Sequence, residues 1–151
     1  MRTLLRSLVV AASTLLPVGL PALLSATPGN GVSGTILAKG TSPEGIAVRG
    51  RGATDVTVRE ITIAPGGSTG WHYHDGELIG VVKSGTLTRT MHDCSTEVTS
   101  AGGSFAEPAG RHQLHIGRNL GADPVVLLVT YVLPAGRPLS QDVPEPQHCD
   151  L

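Results

Sequence analysis

The sequence predicts an all-β domain of short antiparallel strands, arranged as a sandwich or a small barrel. After residue 30 no segment has the apolar spacing of an amphipathic helix, and glycine or proline interrupts the chain at short intervals. The segments between these interruptions are rich in valine, isoleucine and threonine, which favour strands. Short strands separated by regularly spaced turn residues are typical of sandwiches and barrels.

Six segments carry the strand signals. Residues 56–63 alternate apolar and polar side chains with one slip at Arg59–Glu60, which indicates a β-bulge. Residues 77–83 form the second predicted strand, Ser84–Gly85 forms the turn after it, and residues 86–91 alternate on the way back. The remaining segments are 104–107 after a Gly-Gly pair, 112–115 after a Pro-Ala-Gly turn, and the apolar run 125–133 after Pro124.

The first 26 residues have the composition of a secretory signal peptide. A start containing two arginines is followed by a largely apolar run over residues 8–24 and then by small residues up to Ala26. Pro17 and Pro21 interrupt the run, which is shorter than the roughly 20 residues that a membrane-spanning helix needs. We therefore expect export to a secreted or periplasmic location, with no membrane attachment after cleavage.

The mature chain has the length of one domain with its own core. We divide it into an N-terminal lead with the first strand or strands, residues 27–55, a barrel, residues 56–134, and a proline-rich tail, residues 135–151. The formal net charge is −1, and the eleven lysines and arginines are scattered. This charge pattern argues against a nucleic-acid partner.

The chain contains two cysteines, Cys94 and Cys149. In an exported protein an even number of cysteines indicates a disulfide, and this bond would hold the tail against the barrel. Two unrelated free thiols are the alternative.

Two histidines, His72 and His74, form the first candidate site. In an extended strand alternate side chains share a face, so the two imidazoles point the same way, about 7 Å apart along the backbone, and can bind one metal ion. The candidates for further ligands are Glu77, His92, His112, His115 and His148. Of these, His92 and His148 are expected to be solvated.

Two segments, in order, resemble the two motifs of the cupin superfamily. Residues 66–85 are similar to the first motif, which is Gly, five residues, His-x-His, three or four residues, Glu, six residues and Gly. Residues 102–119 are similar to the second motif, which is Gly, five residues, Pro-x-Gly, two residues, His, three residues and Asn. The resemblance covers about residues 56–134. It implies a double-stranded β-helix, the cupin or jelly-roll barrel, with a metal bound inside by His72, His74 and His115.

The sequence departs from these motifs at two ligand positions. Glu77 stands one residue closer to the His-x-His pair than the family spacing requires, and counting back from the last glycine of the motif places Leu78 at the ligand position. Glu77 therefore reaches the metal only if the turn absorbs one residue. In the second motif the segment between the Pro-x-Gly turn and His115 is two residues longer than in the family, which leaves His112 as an alternative third ligand.

The resemblance implies a divalent transition metal. Fe, Mn, Ni, Cu and Zn all accept imidazole ligands with or without a carboxylate, and the spacing does not choose among them. The first expectation is an exported metal-dependent enzyme, with a small-molecule dioxygenase as the leading reaction class. Glu77 or Glu107 is a candidate proton shuttle, although Glu107 is otherwise read as a solvated strand end.

Two readings without catalysis remain open. The first is a cupin module that binds a small ligand or a metal for sensing or sequestration, and the second is a structural protein of the cell envelope. Many cupins form dimers, so a homodimer is a further expectation from the resemblance.

Overall fold

Nine β-strands make up the regular structure of the part of the chain that the computed structural model describes, residues 33–147 and Cys149. The strands are Thr54–Ile63 (β1), His72–Tyr73 (β2), Glu77–Ser84 (β3), Thr86–Met91 (β4), Thr96–Ser100 (β5), Ser104–Glu107 (β6), His115–Arg118 (β7), Val125–Pro134 (β8) and Gln141–Asp142 (β9). All nine strands belong to the unit Thr35–Leu151, and no helix occurs among the described residues. The expected signal peptide, residues 1–26, lies outside the described residues, and export stays a prediction.

The strands form two antiparallel sheets. The first sheet has the order β1-β8-β3-β6 and the second has the order β5-β4-β7-β2-β9. The chain crosses repeatedly from one sheet to the other, so that consecutive strands such as β3 and β4 lie in different sheets. The core lies between the two sheets, as in a jelly roll. This arrangement confirms the predicted all-β fold and the double-stranded β-helix that the resemblance implies.

Strand β8 supplies much of the core. Its odd-numbered side chains from Val125 to Leu133 are buried, and its even-numbered ones are half-buried or exposed. Paired with β1 on one side and β3 on the other, β8 packs its inward face against side chains of β3 and β6, including Leu78 and Phe105. A strand that is central in its sheet is shielded at both edges, which explains the continuous apolar run in the sequence.

The predicted bulge at Arg59–Glu60 is wrong. Strand β1 pairs with β8 in one unbroken register, whereas a register shift occurs in β3 between Val82 and Ser84. Arg59 lies directly opposite the buried Val129, so it shares the inward side of the barrel. The slip in the sequence pattern therefore reflects a polar residue on the inward side of a regular strand.

Two residues of the sequence motifs stabilise connections outside the site. Gly85, in the turn between β3 and β4, has a φ of 76°, and a Cβ atom there would lie 2.8 Å from the carbonyl oxygen of Pro124. Both facts favour glycine at this position. The side chain of Asn119 is buried and donates hydrogen bonds of 2.9 Å to the carbonyls of Ile63 and Asp123. It thereby connects the segment after β7 to the end of β1.

The tail folds back onto the second sheet. Strand β9 pairs with β2, and a disulfide joins Cys94 to Cys149. Cys149 packs with Trp71 and Ile116 in a small apolar cluster separate from the main core. Strand β2 is only two residues long, so its position is fixed mainly by pairing with its neighbours β7 and β9.

Candidate metal centre

Four buried side chains converge in the space between the two sheets. One ligand atom from each lies within 4.8 Å of the others, and the residues are His72, His74, Glu107 and His115. The imidazole ring centroids are 4.4 to 5.1 Å apart. All four residues are less than one tenth exposed. These residues form the candidate metal centre.

The strand pairing explains how residues distant in the sequence meet here. His72 in β2 lies directly opposite His115 in β7, and directly opposed side chains of antiparallel strands share a face. His74 follows His72 by two residues and points to the same side. Glu107 comes from the other sheet, at the end of β6. The centre is therefore three imidazoles on one sheet facing a carboxylate on the other.

Backbone carbonyl groups fix the orientation of all three imidazoles. Each Nδ1 atom lies within hydrogen-bond distance of one carbonyl oxygen: His72 of Gly70 at 2.8 Å, His74 of Leu139 at 2.6 Å, and His115 of Gln113 at 2.8 Å. A carbonyl oxygen only accepts, so each Nδ1 carries the proton. In the neutral imidazole each Nε2 atom then has a free lone pair, which is the form that binds a metal.

Glu107 lies between the imidazoles and a buried guanidinium. Its Oε2 atom is 3.2 Å from Nε2 of His74 and 3.0 Å from Nε2 of His115. The second contact lacks the alignment of a hydrogen bond, so the buried Nε2 of His115 has no hydrogen-bond partner among the described residues. The other oxygen, Oε1, accepts a hydrogen bond of 3.4 Å from Nη1 of Arg89.

The ionisation of the cluster follows from burial and from these contacts. Burial disfavours the charged form of Glu107, but the contacts with His115 and His74 outweigh burial and lower the pKa of the carboxyl well below its usual range. Burial also opposes protonation of His115, yet the neighbouring carboxylate and a backbone carbonyl raise the pKa of this imidazole. Burial dominates at His72 and lowers its pKa, so this imidazole stays neutral.

The four side chains fit a divalent transition metal. Three imidazole nitrogens and one carboxylate oxygen form a donor set that suits Zn, Mn, Fe, Ni or Cu. The unpaired buried nitrogen of His115 supports this fit, because buried polar atoms normally have a partner. A cavity of about 50 Å³ adjoins the cluster. Room for roughly three or four water molecules leaves coordination positions for a ligand.

The structure does not bring Glu77 to this cluster. Its side chain is on the other side of β3, where a carboxylate oxygen accepts a hydrogen bond of 3.0 Å from the backbone nitrogen of Arg49. The next residue, Leu78, points into the barrel and lies directly opposite Glu107 of β6. The carboxylate of the cluster is thus supplied by β6, the strand paired with β3, and not by the motif position in β3. Glu107 is 8% exposed, so its reading as a solvated strand end is wrong.

Two further histidines of the described residues, His92 and His112, lie apart from the cluster. His115, not His112, is the histidine of the second motif that joins it. His112 is exposed in the turn before β7 and lines a surface groove with Tyr73 and Arg111. His92 is exposed, and His148 lies outside the described residues. The sequence predicted a strand over residues 112–115, but β7 begins only at His115. His115 is therefore held by strand pairing in the cluster, while His112 lies in the turn before the strand.

A double-stranded β-helix with a histidine and carboxylate cluster between its sheets defines a barrel protein with an interior candidate metal centre. Residues 59–131, just under half of the chain, match the family model described as the cupin domain, and this match supports a small cupin-domain protein. No curated protein matches the chain. Among the described residues no helix is long and apolar enough to span a membrane.

Three solved structures illustrate the similarity. A conserved protein with a double-stranded β-helix domain from Klebsiella pneumoniae subsp. pneumoniae MGH 78578 is 25% identical, with a TM-score of 0.48, over 54% of this chain and 70% of that chain. The polyketide cyclase RemF from Streptomyces resistomycificus is 24% identical, with a TM-score of 0.51, over 64% and 65%. An oxalate oxidase in complex with glycolate is 26% identical, with a TM-score of 0.45, over 50% and 41%. The chain thus spans less than two thirds of the length of the last two proteins, and similarity at this level concerns the fold alone.

Proposed function

We propose that the protein is an exported metal-dependent enzyme that binds one divalent transition-metal ion and acts on a small molecule, with oxygen-dependent oxidoreduction as the leading reaction class. The ligands are His72, His74, His115 and Glu107. The observation that carries the proposal is the convergence of three imidazoles, each with its Nδ1 proton on a backbone carbonyl, on one carboxylate. Residues that served only to fill a core would not need this common orientation.

The chain supplies an oriented and largely apolar setting for this chemistry. A bound metal would act as a Lewis acid that orients ligand oxygens and stabilises negative charge developing on them. The cavity wall is largely apolar, with Leu78, Leu127 and Val129 among its residues, which strengthens electrostatic interactions at the centre. The pKa of Glu107 is lowered, so its carboxylate stays ionised near neutral pH and acts as a ligand, which argues against the expected role as proton shuttle.

A non-catalytic binding module is the second candidate function. The cavity beside the cluster has a volume of only about 50 Å³, smaller than the several hundred Å³ of most ligand pockets. Such a space suits a small ligand or the metal alone, and sensing or sequestration requires no turnover. Oxygen consumption in the presence of small organic acids would favour the enzyme, and tight binding without consumption would favour the module.

Metal content tests the proposal directly. We expect the purified protein, reconstituted in turn with Fe, Mn, Ni, Cu and Zn, to retain close to one ion per chain in mass spectrometry. His74→Ala removes one ligand and should lose the ion, whereas His92→Ala changes an exposed histidine outside the cluster and should retain it. A wild-type chain that retains none of the five ions, with an unchanged melting temperature, would contradict the proposal.

The stabilisation by metal should increase with pH. The pKa of His115 is raised, so its protonation stabilises the metal-free fold below the unfolded pKa of about 6.5, and this contribution disappears as the pH rises through the folded pKa. The metal needs the neutral imidazole, so protons compete with it at low pH. We expect Zn²⁺ at a fixed free concentration to raise the melting temperature more at pH 8 than at pH 6. Equal shifts at both pH values would contradict metal binding through neutral imidazoles.

A further inference from the structure

Arg89 in β4 separates two spaces in the molecule. Its side chain lines the cavity beside the metal centre and also a groove of about 770 Å³ on the outside of the barrel. The groove, named the seam groove here, runs along the edge strands β5 and β6 and is bordered by the lead at residues 41–45. Its wall is rich in hydroxyl groups, from Thr41, Ser42, Thr99, Ser100 and Ser104. Phe105 also lines both spaces, so the guanidinium and the Phe105 ring lie between the groove and the centre.

The contacts of Arg89 leave one donor without a partner. Its Nη2 atom pairs with Glu97 on β5, while its Nη1 atom lies 3.4 Å from both Glu107 and the carbonyl oxygen of Ala106. The guanidinium carbon lies 4.1 Å from the centre of the Phe105 ring. The Nε atom is buried and has no hydrogen-bond partner among the described residues. An unpaired buried donor is costly, which makes Nε–H a binding group for an acceptor brought by a ligand.

The charges around the centre favour an anion. With a divalent ion bound, the negative charges of Glu107 and Glu97 and the positive charge of Arg89 leave one net positive charge in and beside a cavity of low dielectric constant. Uncompensated charge in such a site is expensive, so a ligand with a single negative charge is preferred over a neutral one.

The position of Glu107 shows which anion has the right width. Its two oxygens span the gap between the imidazole nitrogens of His74 and His115 and the guanidinium of Arg89. A second carboxylate, on a ligand, has the same width and can place one oxygen on the metal and the other toward Arg89. A cavity of about 50 Å³ holds such a group with little more, so the rest of a larger ligand would lie in the seam groove.

We propose that Arg89 is the specificity-determining residue of the centre and selects a small carboxylate with one negative charge, which reaches the metal from the seam groove. The inference rests on the proposed metal binding. Arg89 binds the ligand through Nε–H, and its ion pair with Glu97 holds the route closed until the ligand arrives. Glu97 is the exposed member of this pair, with 55% of its side chain accessible, and it moves more easily than the buried guanidinium.

Calorimetric titration of the metal-loaded protein with acetate and with acetamide at pH 8 tests the inference. The two probes have nearly the same shape and differ in charge. The variants are Arg89→Gln, which removes the positive charge, and Glu97→Gln, which removes its surface counter-ion. Glu60→Gln is the matched control, because Glu60 also forms an ion pair on the barrel surface, with Lys83, and is 52% exposed. Metal content is measured for every sample.

We expect wild type to prefer acetate over acetamide and Arg89→Gln to reduce this preference about tenfold to a hundredfold, as for the loss of one charged hydrogen bond. Glu97→Gln should bind acetate about threefold more tightly, because one competing negative charge is gone. Glu60→Gln should behave as wild type. A change confined to the ratio of the two probes reports selection by charge, since a loss of fold would weaken both probes together.

The possible failures are distinguishable. A wild type that retains no metal overturns both the proposed function and this inference. A metal-loaded wild type that binds the two probes equally overturns the inference alone, as does Arg89→Gln with an unaltered preference. If Arg89→Gln does not fold, Glu97→Gln decides: acetate affinity equal to that of Glu60→Gln overturns the role of Arg89.

Discussion

Replacing Glu107 by glutamine should lower the affinity of the centre for Zn²⁺ by more than about a hundredfold. Partners in the outer shell of a metal site typically contribute 10- to 100-fold, and a charged group that binds the ion directly should contribute more. Glutamine keeps the size of the side chain but removes the negative charge that faces His74 and His115. It also leaves Arg89 buried without its interior counter-ion. Breaking a buried ion pair in this way costs about 3–5 kcal/mol of folding free energy.

The matched control is Glu77→Gln, which changes the carboxylate that the sequence motif favoured. Glu77 contacts a backbone nitrogen of the lead instead of the cluster, so we expect its replacement to leave Zn²⁺ affinity within about threefold of wild type. Competition with a chromophoric chelator measures both affinities, and chemical denaturation of the metal-free proteins measures both stabilities. The reverse result, with affinity lost in Glu77→Gln and kept in Glu107→Gln, would remove Glu107 from the ligand set.

The position of the carboxylate shows where sequence reasoning was sufficient and where it was not. The alternation of His72 and His74 is a local property, so their common face could be predicted from two residues of spacing. Glu107 enters the cluster because β6 pairs with β3 and places it directly opposite Leu78. That pairing joins residues 29 positions apart, and no local pattern encodes it. The only sequence signal was the spacing of two residues between Phe105 and Glu107, which in a strand places Glu107 on the same face as an apolar side chain.

The same distinction applies to the fold. The apolar run of β8 and the alternating residues of β4 predicted strands because burial of one or both faces determines which neighbouring residues are apolar. Strands β2 and β9 have only two residues each and exist because they pair with each other and because β2 also pairs with β7. Such strands have no periodicity to detect. The tail, in which the sequence analysis predicted no strand, therefore contributes a strand next to the metal centre.

This contact between the tail and the centre leads to an expected effect of the disulfide on metal binding. The carbonyl oxygen of Leu139 in the tail accepts a hydrogen bond from Nδ1 of His74. Arg137 and Gln141 of the tail donate hydrogen bonds to the carboxylate of Asp75. A two-residue strand and a partly exposed ion pair hold a segment weakly. The Cys94–Cys149 bond closes a loop of 55 positions and contributes about 4 kcal/mol in the chain-entropy model. The disulfide therefore provides most of the attachment of the tail.

We expect the double variant Cys94→Ser/Cys149→Ser to unfold with about 4 kcal/mol less free energy and to bind Zn²⁺ about tenfold more weakly. We expect the lower end of the 10- to 100-fold range for outer-shell partners, because the hydrogen bonds from Arg137 and Gln141 to Asp75 still hold part of the tail in place. Trp71, the only tryptophan, packs against Cys149 and is 5% exposed, so its emission should shift to longer wavelength when the tail detaches. Reductant should produce the same shift in wild type and none in the double variant. Loss of stability with unchanged Zn²⁺ affinity would show that the tail stabilises the barrel without orienting His74.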